Sequence, residues 1–60
     1  MKVELTVRLI RETEKAVLVD DGDREVWLPK SHTFLPDDYD IGETCIIQVR
    51  EWLAIEKELI

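Results

Sequence analysis

Two adjacent residues, Ser31 and His32, have side chains of the types that a nucleophilic hydrolase uses. A serine hydroxyl becomes a nucleophile only when a base lies within hydrogen-bond reach of it. Neighbouring residues of an extended segment point to opposite sides, and His32 is the only histidine in the chain. The sequence also lacks paired acid and base groups, a phosphate-binding loop and a metal-ligand set. We therefore expect a protein that is not an enzyme, with no catalytic residues.

Carboxylates are the second chemically active group, and eight of them crowd two short segments. The two acidic runs are Asp20, Asp21, Asp23 and Glu25, and Asp37, Asp38, Asp40 and Glu43. Their spacing does not match a calcium-binding loop, so we expect neither a metal site nor a cofactor. Two interpretations remain: solvated turns that protect a small β protein, or a negative surface that mimics a phosphate backbone and steers a basic partner.

Aromatic and sulfur side chains provide a third group. Trp27 and Trp52 could stack on bases and, with Arg8, Arg24 and Lys30, form a groove for single-stranded nucleic acid. Tryptophan is also the bulky apolar residue that a small core needs. We favour core packing for Trp52, whereas for Trp27 core packing and base stacking are about equally favoured. Cys45 lies in an apolar segment and is interpreted as a small core residue.

Size and charge limit the functional classes. The 60 residues form one domain, residues 1–60, with a net charge of −6 from 14 acidic and 8 basic residues. This balance disfavours non-specific nucleic-acid binding, although one face could still be basic. We expect no signal peptide and no membrane segment, since no apolar run approaches the ~20 residues that span a bilayer. One cysteine suits a reducing compartment, so we expect the cytoplasm of a host cell.

Period-2 alternation of apolar residues predicts the elements that position these side chains. Strands are predicted at residues 2–10, 15–20, 24–28 and 43–49, and a helix at 50–60 whose apolar stripe includes Trp52 and Leu59. Residues 30–42 are expected to form a connection anchored by Phe34, Leu35 and Tyr39. The predicted fold class is mainly β (α+β): a small four-stranded, mostly antiparallel, curved sheet or open SH3-like barrel with a C-terminal helix.

The Asp21-Gly22 turn joins the two hairpin strands, and its length sets their register. A two-residue loop would place Asp20 opposite Asp23, which is a repulsive pair. A three-residue loop places Asp20 opposite Arg24 instead, and it puts Ala16, Leu18, Val26 and Leu28 on one face. We favour the longer loop. In both registers the second face also carries apolar residues, as expected of a strongly curved sheet or of a binding face.

Three segments together resemble a known group of proteins. They are Glu14 to Val19 (EKAVLV), which with the preceding Glu12 and Thr13 contains ETEKA, then Val26 to Ser31 (VWLPKS) and Glu51 to Ala54 (EWLA). This pattern resembles small uncharacterised proteins encoded by bacteriophages and prophages. The chain departs from it at His32, where glutamine is frequent, and at Glu58, near which glycine is common. The resemblance implies a phage or mobile-element origin and a small accessory role, and it transfers no functional residue.

The leading hypothesis is an accessory module that binds or inhibits a host or phage protein that handles nucleic acid. The acidic loops would steer the encounter, and Trp27, Lys30 and Phe34 would provide contacts. The predicted partner-binding residues are Asp20, Asp21, Asp23, Trp27, Lys30, Phe34, Asp37, Asp38, Asp40 and Glu43. One alternative is direct binding of single-stranded nucleic acid through the aromatic and basic residues, and another is a structural homo-oligomer that pairs through an exposed edge strand.

Overall fold

A computed structural model describes all 60 residues of the chain. Five strands precede one short helix, which confirms the predicted mainly β fold with a C-terminal helix. The elements are β1 (Lys2–Glu12), β2 (Ala16–Asp20), β3 (Glu25–Pro29), a 3-10 turn (Lys30–His32), β4 (Thr33–Phe34), β5 (Thr44–Arg50) and α1 (Glu51–Glu56).

All five strands belong to one antiparallel sheet with the order β3-β2-β1-β5-β4. The sheet is not closed into a barrel, so β3 and β4 are its two edges. The prediction of four strands was wrong by one strand. β4 contains only two residues, and it exists because Thr33 and Phe34 pair with Val49 and Gln48 of β5. A strand this short has no periodicity that could reveal it in the sequence.

The core occupies one face of the sheet and is closed by α1. Ten buried apolar residues form it: Val7, Leu9, Val17, Val19, Val26, Leu28, Ile47, Val49, Leu53 and Ala54. Each fully buried Val, Leu or Ile side chain contributes about 1.5–3 kcal/mol. No second sheet or helix covers the opposite, outer face of the sheet, so its side chains lie at the protein surface.

β1 is shared between the two halves of the sheet. It pairs with β5 from Lys2, opposite Arg50, to Arg8, opposite Thr44. It pairs with β2 from Arg8 onward, with a register shift between Leu9 and Arg11 that leaves Ile10 as an extra residue. Such a bulge bends a strand and increases its twist. β1 therefore reaches both halves of the sheet while Val7 and Leu9 stay in the core.

The hairpin of β2 and β3 has a different register from the one predicted. Asp20 lies opposite Glu25, not Arg24, and a four-residue connection joins the strands. Val17 and Val19 therefore face the core in place of Ala16 and Leu18, whereas Val26 and Leu28 are buried as predicted. The carboxylates of the turn accept backbone N–H groups, and this stabilisation outweighs the like-charge pair of Asp20 and Glu25.

α1 is shorter than predicted, and its buried side is different. The chain leaves the helix through Glu58 at φ 57°, where Leu59 N–H bonds the Ala54 carbonyl and Glu58 N–H bonds the Ile55 carbonyl. This is the Schellman arrangement, which usually has glycine at the left-handed position. Only Leu53 and Ala54 are buried, and Trp52 is 51% exposed, so its predicted place in the core was wrong. No helix here has the length and apolar character needed to cross a membrane.

Candidate functional site

Two acidic loops meet at one end of the sheet, on either side of β1. Arg8 pairs with Asp20 of β2 on one side and with Thr44 of β5 on the other. Leu9 N–H donates to the Glu43 carbonyl (2.9 Å), and Gly42 N–H donates to the Leu9 carbonyl (2.6 Å). Since neighbouring strands lie about 4.8 Å apart, the two loops are separated by roughly 10 Å. We call this region the acidic end, formed by Asp20, Asp21, Asp23, Glu25, Asp40 and Glu43.

Two carboxylates of the acidic end are fixed by the turn itself. Asp20 Oδ1 accepts the N–H of Gly22 at 2.8 Å. Asp21 Oδ1 accepts the N–H groups of Asp23 (2.9 Å) and Arg24 (3.0 Å), and these bonds lower the pKa of Asp21. Gly22 has φ 105°, a conformation that side chains disfavour. Asp20 and Asp21 therefore shape the turn as well as carrying charge, which was not predicted.

Asp37 and Asp38, from the second acidic run, are exposed on the loop that leads into the acidic end. The structure does not place them beside β1 through any backbone bond, in contrast to Gly42 and Glu43. The sequence therefore grouped four carboxylates that the fold divides into two pairs. Of these, Asp40 and Glu43 flank Gly42, whose carbonyl accepts the Nε–H of Arg8 at 3.2 Å.

A small polar pocket lies at the centre of the acidic end. It has a volume of about 230 Å³ and is lined by residues of β1, β5 and the hairpin turn, among them Arg8, Asp20 and Thr44. Sites for small organic ligands are typically larger and mostly apolar. We therefore interpret the acidic end as an exposed charged surface and not as a ligand cavity.

Lys30, a predicted contact residue, takes part in an internal cluster. Its Nζ lies 2.7 Å from Glu12 Oε2, which also accepts the Tyr39 hydroxyl at 2.9 Å. These bonds lower the pKa of Glu12 and raise those of Lys30 and Tyr39. The cluster ties the end of β1 to the 3-10 turn and to the loop before β5. It confirms Tyr39 as an anchor of that connection, and it gives Lys30 a structural contact.

The remaining predicted contact residues lie at opposite edges of the sheet. Trp27 is on the outer face of β3, opposite Leu18, and is 41% exposed. Phe34 is on β4, opposite Gln48, so it does not anchor the core as predicted, unlike the partly buried Leu35. Trp27, Lys30 and Phe34 therefore do not form one surface.

The set predicted for nucleic-acid binding is also dispersed. Arg24 Nη2 donates to the Lys57 carbonyl, and Arg24 Nη1 lies 3.9 Å from Glu58 Oε2, so this guanidinium caps the end of α1. Lys30 is bonded to Glu12, and Arg8 lies between the acidic loops. Trp27 and Trp52 are both exposed, but Trp27 lies on the β3 edge and Trp52 on α1 against His32, so the five residues do not form one groove.

The structure assembles a basic and aromatic group that the sequence did not reveal. Lys2 Nζ lies 4.2 Å from the centroid of the Phe34 ring, and Arg50 Cζ lies 5.6 Å from it. We call these three residues the cation–aromatic cluster. They come from β1, β4 and β5, and the pairings of Lys2 with Arg50 and of Phe34 with Gln48 bring them together. The sequence indicates this cluster only in that Lys2 and Arg50 occupy the polar positions of strands in which polar and apolar residues alternate.

Three residues singled out for their chemistry lie apart from both regions. Ser31 is exposed in a 3-10 turn, so this segment is not extended as predicted, and the His32 ring packs edge-on against Trp52 with centroids 5.0 Å apart. Cys45 is partly buried on β5, where desolvation and the charge of Glu43 raise the pKa of its thiol. No group of three or more His, Cys, Asp or Glu side chains is placed to hold a metal ion.

The free edge of β3 is the feature that self-association would need. Asp21 N–H bonds the Arg24 carbonyl and Lys30 N–H bonds the Lys15 carbonyl. The antiparallel alternation then directs the backbone groups of Glu25 and Trp27 away from β2, toward solvent. Pro29 has no N–H to offer there, so only these two N–H groups are open to a further strand.

Comparison with protein-family models, with curated proteins and with solved structures gave no match for this chain. The resemblance to phage and prophage proteins therefore stays a prediction.

Proposed function

We propose that this chain is a small accessory module of phage type that uses its acidic end to bind a basic surface on a host or phage protein that handles nucleic acid. Occupying that surface would inhibit the partner in the host cytoplasm. The observation that supports the proposal is the convergence of two acidic loops on either side of β1. The proposal includes the finer fold assignment of an open, SH3-like arrangement, an architecture that commonly hosts binding sites.

The charges of the acidic end favour a basic partner. Its two neighbouring cations are engaged internally, Arg8 with the Gly42 carbonyl and Arg24 with the Lys57 carbonyl and Glu58. A concentrated negative surface accelerates encounters with a basic partner and suppresses encounters with acidic ones. Hydrogen bonds from the turn backbone hold Asp20 and Asp21 in place, so less order has to be gained on binding.

Affinity capture from host lysate, before and after nuclease treatment, tests the proposal. The test variant carries Asp23→Asn, Asp40→Asn and Glu43→Gln, which spares the turn-shaping Asp20 and Asp21. The matched control carries Glu4→Gln, Glu14→Gln and Glu51→Gln, which changes the net charge equally at exposed sites away from the acidic end. We expect a nuclease-resistant protein partner that the control retains and the test variant loses. Equal retention by the two variants, or equal loss, would contradict the proposal.

Self-association through β3 is the second candidate, supported by the outward backbone groups of Glu25 and Trp27. It predicts a mass above that of a monomer in analytical ultracentrifugation at high protein concentration. Replacing Trp27 by proline would remove one of the two open N–H groups and lower that mass. A monomeric mass at the highest concentration reached would eliminate this candidate.

A further inference from the structure

The outer face of β1 and β5 has the opposite charge from the rest of the chain. Its side chains are Lys2, Glu4, Thr6 and Arg8 from β1 and Thr44, Ile46, Gln48 and Arg50 from β5. Arg8 lies between the acidic loops and donates to the Gly42 carbonyl, so it belongs to the acidic end. The rest of the face holds two cations and one carboxylate, whereas the chain as a whole has a net charge of −6. The face is therefore a locally basic region of an acidic protein.

The cations of this face have no carboxylate partner. The only ion pairs in the structure join Arg24 to Glu58 and Lys30 to Glu12. Lys2 and Arg50 instead lie against the ring of Phe34, at 4.2 Å and 5.6 Å from its centroid. A cation–π contact at an exposed site is weak, and it leaves the full positive charge available to an anion.

The ring of Phe34 becomes available to a base when the flexible Lys2 side chain, whose Nζ lies over it, moves to a phosphate. Phe34 is 36% exposed at the β4 edge, and Ile46, which is 56% exposed, lies on the neighbouring strand. Gln48 lies between Phe34 and Glu4 in the cross-strand row and can donate or accept hydrogen bonds. The result is an open sheet face with a partly uncovered ring, two cations beside it and a neutral polar neighbour.

We propose that this face binds single-stranded nucleic acid, with a base stacked on Phe34 and phosphates held by Lys2 and Arg50. Both chemical features of that polymer are matched, since its bases present π-faces and its backbone presents a regular series of negative charges. An acidic peptide would use the cations and leave the ring without a partner. Duplex nucleic acid would hide its bases from the ring. This site is independent of the acidic end, so each proposal can fail without the other.

Fluorescence anisotropy of a labelled 15-nucleotide oligothymidine in about 20 mM salt tests the site directly. We expect binding in the range of about 10⁻⁴ to 10⁻⁶ M that is typical of sequence-independent association. We expect log K to fall with log salt with a slope of about −1.4, because two phosphate contacts on a single strand each contribute about −0.7. Absence of binding at this salt concentration overturns the proposal.

Variants separate stacking from charge. Phe34→Leu keeps an apolar side chain and should weaken binding about tenfold, whereas Phe34→Trp should preserve it and add a fluorescence signal that the oligonucleotide quenches. Lys2→Gln should reduce the slope by about 0.7. The matched controls are Trp52→Leu and Lys15→Gln, an exposed aromatic and an exposed cation away from this face, and both should bind like the original chain.

Two outcomes would overturn the assignment even if binding is seen. One is unchanged binding by Phe34→Leu, since it would mean that no base stacks on the ring. The other is equally tight binding of oligoglutamate or of a duplex of the same length, since the site would then recognise charge alone. Circular dichroism of each variant, compared with the original chain, establishes that the sheet is intact before binding is measured.

Discussion

The acidic end and the cation–aromatic cluster lie toward opposite ends of β1, and they hold their charges in different ways. At the acidic end, backbone N–H groups bind the carboxylates of Asp20 and Asp21, so the charges are part of the turn. At the other end, Lys2 and Arg50 form no ion pair and lie against the ring of Phe34. We therefore expect substitutions at the acidic end to change both the stability of the fold and the proposed binding, and substitutions at the cation–aromatic cluster to change mainly the proposed binding.

The largest expected effect comes from the core that the two regions share. Leu9 is fully buried on β1, next to the bulge, and its backbone bonds Gly42 and Glu43 of the loop at the acidic end. Leu9→Ala should lower the free energy of unfolding by about 2–5 kcal/mol, because it removes buried surface and leaves a cavity. Urea unfolding measures this, with the exposed Thr6→Ala as control. A loss below about 1 kcal/mol would mean that the two ends do not depend on one core.

The second prediction affects the acidic end alone. Gly22 has φ 105° and open space around its Cβ position, so Gly22→Ala causes backbone strain without a steric clash. It should cost about 1–2 kcal/mol of unfolding free energy. Oligonucleotide binding at the other end should be unchanged. If stability is unaffected, the turn does not require the conformation on which the placement of Asp20 and Asp21 depends.

The third prediction is a gain in stability at the helix end that contacts the hairpin turn. Glu58 adopts φ 57° in the Schellman arrangement. Its Oε2 lies 3.9 Å from Nη1 of the exposed Arg24, which is a long ion pair at the surface. Glu58→Gly should stabilise the fold by about 0.5–1 kcal/mol, since glycine tolerates this conformation and a surface ion pair contributes little. Thermal unfolding measures it, and Glu58→Ala, which keeps the strain, is the control. A loss of stability would show that the ion pair with Arg24 matters more than backbone strain.

The fourth prediction concerns acid stability. The bonds from Lys30 and Tyr39 lower the pKa of Glu12 below its ordinary value of 4.5, so its contribution is complete above that pH. The contribution is lost as the pH falls through the lowered value, where the folded protein must also take up the proton. Glu12→Gln should therefore reduce the difference between thermal midpoints at pH 6 and pH 3. Equal midpoint differences for Glu12→Gln and the original chain would contradict the prediction.

The smallest expected effect on stability is at the cation–aromatic cluster. Lys2→Gln removes a cation–π contact at an exposed site, so it should change the free energy of unfolding by less than about 1 kcal/mol. Urea unfolding of this variant and of Gly22→Ala under the same conditions compares the two regions directly. If Lys2→Gln proves the more destabilising of the two, the cation–aromatic cluster stabilises the fold, and the proposed difference between it and the acidic end is wrong.

The sequence predicted the elements better than their register. Alternation located β1, β2, β3 and β5 because each buries one face. The hairpin register was wrong because like-charge avoidance was given more weight than the hydrogen bonds that Asp20 and Asp21 accept from the turn. The helix face was wrong because α1 has only six residues, fewer than two turns, so just Leu53 and Ala54 of it are buried against the sheet.

The sequence identified residues of the candidate site, but it did not predict which of them share a surface. Both acidic runs are evident in the sequence, but their meeting beside Arg8 depends on β1 pairing with β2 and β5 at once. The cation–aromatic cluster joins residues 2, 34 and 50, and no local pattern connects positions so distant. Trp27, Lys30 and Phe34 were predicted to provide contacts together, although Trp27 and Phe34 lie at opposite edges of the sheet.

The shared pairing of β1 also has a kinetic consequence. Its pairing with β2 spans a short loop, whereas its pairing with β5 joins Lys2 to Arg50 across most of the chain. Closing long loops costs more entropy, and contacts of high sequence separation slow folding. The contact between Lys2 and the ring at position 34 needs three distant segments to be assembled. A tryptophan placed there would report the completed chain topology in a stopped-flow refolding experiment.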